Sequence, residues 1–142
     1  MTTISVTGTK ELQAALAELG EDISQAVTDA VNATGLELRS DIQKRIRNGP
    51  ATGRVYRRRN VTHQASAPGE APASDTGRLR NSVTFKRIND LTITVGSRLA
   101  YASYLEFGTR NIARRPAWAP AAMLAEPKFR KRLEAAIAGA IR

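Results

Sequence analysis

The chain has no cysteine, a single histidine and a single tryptophan among 142 residues. Without cysteine there are no disulfides, thiolate metal sites or cysteine nucleophiles. Long apolar runs are missing as well, so nothing reads as a membrane span. The opening "MTTISVTGTK" lacks the basic start and apolar block of a signal peptide. The expectation is a protein made in a cytoplasm that stays there, or in something assembled there. No internal repeat is present. Acidic residues are scarce, 13 against 22 Lys and Arg, for a net charge of +9.

That charge is uneven. Residues 1–35 hold one basic residue (Lys10) and five acidic ones, a net −4, which leaves +13 on the remaining 107. Such asymmetry suits a basic surface facing a polyanion, or an acidic end docking on a basic neighbour. The length suits one domain with a real core.

Thr2–Thr7 alternates and reads as a short strand, after which Thr9 is a plausible helix cap. Leu12, Leu16, Leu19, Ile23, Val27, Val31, Leu38, Ile42 and Ile46 then recur at helical spacing, and "NGP" at Asn48–Pro50 stops the run. An unbroken helix of about 38 residues would be roughly 57 Å long, too long for a compact domain of this size. A bend is therefore expected at Gly20 or around Asn32–Gly35.

Residues 51–74 are anomalous. "RVYRRRNVTHQ" could pair as a hairpin, but its only apolar residues are Val55, Tyr56 and Val61, and "ASAPGEAPAS" has none that form a core. The expectation is an extended, flexible arm, disordered in the isolated protein. Asp75 or Ser74 should cap the short turn "TGRLRNS". "SVTFKRI" and "LTITVGS" form the clearest hairpin. "AYASYLEF" reads as a short helix ended by Gly108, with Tyr101, Tyr104, Leu105, Phe107 and Trp118 expected in one aromatic cluster. Pro127 should open a last helix carrying Phe129, Leu133, Ile137 and Ile141 on one side. The class is α+β: a single domain over 1–142, with a small antiparallel sheet packed on a long N-terminal helix, a flexible arm and a C-terminal helix.

Candidate chemistry is thin. His63 has no carboxylate or pocket signalled nearby and reads as a solvated loop histidine. Glu70, Asp75 and Glu106 are too scattered for a metal cluster or an acid/base pair; Glu106 reads as the partner of a nearby arginine. No cofactor motif is present, and no enzymatic activity is expected. The arginines of "RVYRRR", interleaved with Tyr56, suit phosphate contact and base stacking, or acidic helices of another subunit.

Taken together, "HQASAPGEAPASDTGRLRNSV", "YASYLEFGT" and "ARRPAWAPA" resemble the tail-completion (neck) protein family of long-tailed bacteriophages, the group that includes the minor-tail-protein-Z-like proteins. The "TG.L..S" turn with Gly77, the "YLEFGT" motif with Glu106, Phe107 and Gly108, and the late Arg115–Pro116 carry the likeness. Where the family has an aromatic after that proline, this chain has Ala117, with Trp118 one residue later. The virion morphogenesis proteins of contractile-tailed phages share the "DTGRL..S" turn and rank second.

The resemblance implies a structural virion protein of a phage or prophage, located in the neck or tail and assembled in the bacterial host cytoplasm. Its implied partners are itself in a ring, expected to be of six, with head-closure or connector proteins and a tail terminator or tail-tube protein, and passing DNA, but no membrane. The residues expected at subunit or DNA contacts are Arg54, Tyr56, Arg57, Arg58, Arg59, His63, Arg78 and Arg80, subunit contact being the favoured version. The alternative is a basic nucleic-acid-binding module without catalytic activity.

Overall fold

The computed structural model describes residues 2–7, 10, 12–13 and 20–141. Strand β1 (Thr2–Thr7) is followed by helix α1 (Glu21–Asn48), a hairpin of β2 (Val55–Arg58) and β3 (Val61–Gln64), and a single turn, α2 (Arg78–Asn81). Strands β4 (Val83–Asn89) and β5 (Thr92–Ser97), helix α3 (Ala100–Phe107) and helix α4 (Trp118–Ala140) complete the chain. The class is α+β, as the sequence predicts.

The main sheet is antiparallel in the order β1-β5-β4. Register brings Ile4 and Phe85 to either side of Val95 on the central strand. Because side chains alternate along a strand, Ile4, Val83, Phe85, Ile93 and Val95 share one face, and α1 lies against it. Ile23, Val27, Val31, Leu38, Ile42 and Ile46 are the buried stripe of that helix. Gly35 permits the close approach: a Cβ there would sit 1.9 Å from Ile93 Cδ1 and 2.6 Å from the Phe85 ring.

Helix α1 begins after Gly20, whose φ is 95°, and runs unbroken through Asn32–Gly35. At 28 residues, α1 is roughly 42 Å long. The expected cap at Thr9 and the apolar positions Leu16 and Leu19 lie outside the described residues. Gly49 ends α1 in an extended conformation, as residues before proline favour.

Helix α4 runs antiparallel beside α1. Phe129, Leu133, Ile137 and Ala140 pack on Ile23, Val27 and Val31, while Arg132 donates to Thr34 Oγ1 at 2.9 Å and to the Glu37 carboxylate. This arginine and Lys128, 3.5 Å away, hold the Glu37 carboxyl below its ordinary range, the Arg132 hydrogen bond being the largest cause. Contrary to expectation, Pro127 does not open this helix. Nine residues precede it, and its missing N–H leaves only the carbonyl of Met123, on an exposed turn, without a helical donor. Among the described residues no helix is long and apolar enough to cross a membrane.

Candidate functional site

Residues 51–74 are not a detached arm. Val55, Tyr56, Val61 and Thr62 favour extended backbone, and the two-residue link Arg59–Asn60 closes them into an antiparallel hairpin pairing Tyr56 with His63 and Arg58 with Val61. Arg59 at the tip takes a positive φ of 53°, a conformation that bulky residues rarely adopt. Pairing continues below the strands through Gly53 N–H to the Ala65 carbonyl (2.8 Å) and Ala65 N–H to the Arg54 carbonyl (2.9 Å). Only glycine fits at 53, because a Cβ would lie 2.5 Å from the Ser66 carbonyl oxygen.

The return loop is fastened at several points. The Glu70 carboxylate accepts from the Thr52 hydroxyl and from the N–H groups of Ala67 (2.8 Å) and Thr52 (3.2 Å). These bonds, that of the Thr52 hydroxyl foremost, hold its carboxyl below the ordinary range. Gly69 N–H reaches the Arg114 carbonyl at 2.8 Å, Arg115 Nε donates to the Ser66 carbonyl at 3.2 Å, and Ser66 and Pro72 are buried. Polar backbone bonds therefore order a segment that has few apolar side chains.

Between the hairpin, this loop and α3 lies a cleft of about 510 Å³ lined by Tyr56, Arg58, His63, Arg78, Tyr101 and Arg115, among others. Asp75 lines it too, 3.9 Å from Arg58 and 4.0 Å from His63 Nδ1. Two expectations are corrected. His63 does have a carboxylate neighbour and a cleft, and its side chain is only 25% exposed. Asp75 does not cap α2: Gly77 (φ 78°) holds the cap position, and Arg78 N–H reaches Thr76 Oγ1 at 3.4 Å. Among the described residues His63 makes no hydrogen bond to a hydroxyl, so the contact a nucleophile–base pair needs is missing. No group of three metal-ligating side chains occurs among them either.

The remaining predicted arginines divide. Arg54 lies over the Tyr56 ring, 5.6 Å from its centroid. Arg57 and Arg59 stand exposed on the hairpin, and Arg80 turns to Asn81 on α2. Among the described residues, none of Arg54, Arg57, Arg59 and Arg78 forms an ion pair.

The motif around α3 departs further from expectation. Glu106 is 2% exposed, and among the described residues its carboxylate pairs with no arginine, Arg114 Nε donating instead to its backbone carbonyl at 3.2 Å. Its carboxylate accepts the backbone N–H groups of Ala117 (2.7 Å), Trp118 (3.1 Å) and Ala119 (2.7 Å). These are the first donors of α4, whose own cap residue, Ala117, has no side-chain acceptor, and the fourth position is Pro120, which has no N–H. A remote carboxylate thus satisfies every free donor of that helix end and complements its dipole.

Facing Glu106 and Ala102 inward turns the aromatics of α3 outward, since i and i+4 share a face. Tyr101, Tyr104 and Phe107 are 38%, 51% and 69% exposed, so the expected aromatic cluster does not form. Trp118 enters the core, with Leu38, Ile42, Leu79 and Val95, and Leu105 packs half-buried against it. Gly108 has the expected positive φ, 76°, and Pro116 is half-buried beside the cap. The capping role has a sequence signal: a helix opening "AWAPA" has no capping residue of its own, and an acid stands in an aromatic stretch eleven residues earlier.

The chain matches, over residues 10–108, the HK97-gp10-like family model described as "Bacteriophage HK97-gp10, putative tail-component". The matched span takes in α1, the hairpin, β4, β5 and α3. Searches of curated proteins and of solved structures returned no match. The chain belongs to the HK97-gp10-like family.

Proposed function

We infer that this chain is a structural component of a tailed phage or prophage particle, one subunit of a ring at the junction of head and tail. The family match over residues 10–108 carries this reading. The order of the "DTGRL", "YLEFGT" and "RP" motifs supports the neck in particular. The role is assembly rather than catalysis. Partners are further copies of the chain, the head-closure ring on one side and a terminator or tube protein on the other, all within the virion.

Exposed Tyr101, Tyr104 and Phe107 supply the kind of apolar and aromatic surface that subunit contacts use. In a ring such contacts are heterologous, one face of each subunit meeting a different face of the next. Deleting the gene from its phage or prophage tests the reading by electron microscopy of the lysate. Filled heads and separate tails, rejoined by the gene in trans, are expected. Normal infectious particles from the deletion would refute it.

A further inference from the structure

We propose that the β2–β3 hairpin binds the phosphate backbone of double-stranded DNA without sequence preference. The inference goes beyond placement in the particle and is tested separately from it. Four arginines fall within six residues, Arg54 to Arg59. All six of those residues are exposed, and only Arg58 has a carboxylate within ion-pair distance, at 3.9 Å with its own side chain 78% exposed. Among the described residues the other three arginines thus lack the carboxylate partners that would suit a purely structural charge.

Their placement fits a duplex. Strand alternation puts Tyr56 and Arg58 on one face and Arg57 on the other, with Arg59 at the tip. A two-stranded ribbon is narrow enough for the major groove, which is about 12 Å wide and walled by phosphates on both sides. Guanidinium groups on both faces and the tip can then meet both walls. The cation–π contact with Tyr56 orients Arg54 at the root. Among the described residues Asp75, beside Arg58 and His63, is the only carboxylate lining the adjoining cleft, which Arg78 and Arg115 also line. The described carboxylates at the N-terminal end of α1 offer a weaker match. Glu21, Asp22 and Asp29 are three charges, whereas duplex DNA carries one about every 1.7 Å of axis.

The test is fluorescence anisotropy of a short labelled duplex titrated with the full chain at several salt concentrations. Four phosphate contacts predict a slope of log affinity against log salt of about −3.6, and so a loss of about 100-fold between roughly 50 and 200 mM salt. A second duplex of unrelated sequence should bind equally. Arg57→Ser with Arg59→Ser should bring the slope to about −1.8, at unchanged melting temperature. Replacing all four arginines by lysine should keep most of the slope. Lys86→Ser with Lys131→Ser, exposed lysines off the hairpin, should leave binding alone.

Absence of binding at low salt overturns the proposal. So does an equal loss in the lysine control, which would mean diffuse attraction to a cationic protein. Hairpin variants that lose self-association in sedimentation yet keep DNA binding would assign the arginines to a neighbouring subunit instead.

Discussion

Glu106 accepts the backbone N–H of Trp118 at 3.1 Å, joining the glutamate of "YLEFGT" to the tryptophan after the "RP" pair. Both are almost fully buried, at 2% and 1% exposure. Two motifs that look separate in the sequence are therefore one device. A carboxylate on α3 fixes where α4 begins, and α4 in turn covers α1 and the core. Gly108 and the turn behind it return the chain for this contact, and Arg115 N–H bonds the Leu105 carbonyl at 2.6 Å alongside.

Glu106→Ala should strip three donors, two of them buried, of their acceptor and destabilise the fold by about 3 kcal/mol or more. Glu106→Gln should recover part of this, because its amide oxygen can still accept from Ala117 and Trp118 while its NH₂ faces the Ala119 N–H, a donor it cannot accept from. Urea unfolding followed by circular dichroism checks both. A loss under about 1 kcal/mol for the alanine variant would mean that the cap matters little to α4.

Trp118→Ala should cost about 3–5 kcal/mol, since the ring lies within the core. Trp118 is the only tryptophan, so its emission should be blue-shifted in the native protein and move red in a single transition with the circular dichroism signal. Water-like emission before unfolding would place the indole outside the core.

At Gly35, alanine has the better intrinsic helix propensity, by about 1 kcal/mol. The structure reverses the sign. A Cβ would overlap the Ile93 and Phe85 side chains, and overpacking of this kind costs about 1–3 kcal/mol. Thermal melting should show Gly35→Ala less stable than the parent; a higher melting temperature would show that the sheet can move away from α1.

Stability should depend on acid through Glu37. Its folded-state carboxyl lies below the ordinary value of 4.5, so the pair with Arg132 stabilises above the unfolded value and is lost as pH falls through the folded one. Arg132→Met should therefore flatten the decline below about pH 4.5 while lowering stability modestly at neutral pH. Parallel pH–stability curves for parent and variant would show that the pair carries no linkage.

Local signals made much of the fold legible. The apolar stripe from Ile23 to Ile46, the β4–β5 hairpin and the need for glycine at 108 all come from neighbours a few residues apart. The glycine that precedes α1, Gly20, was legible for the same reason. What failed was set by distant contacts. The start of α4 depends on a carboxylate eleven residues before its cap, which the local signal of Pro127 does not carry. Burial of that carboxylate then decides which face of α3 turns in, overriding the hydrophobicity of Tyr101, Tyr104 and Phe107. The loop through Ser66 and Pro72 is ordered by Glu70, Arg115 and backbone pairs rather than by apolar burial, and composition does not register such bonds. At the candidate site the arginines were visible in the sequence. The approach of Asp75 to Arg58 and His63 was not, because it needs the hairpin folded back on the turn before α2.

The central claim, a subunit of a ring joining head to tail, is tested most directly by cryo-electron microscopy of the intact particle. The map should show a closed ring of this chain between the head-closure complex and the first tail-tube ring, its density fitted by α1, the β1-β5-β4 sheet and α4. A map with those two assemblies in direct contact and no copy of the chain at the junction would contradict it.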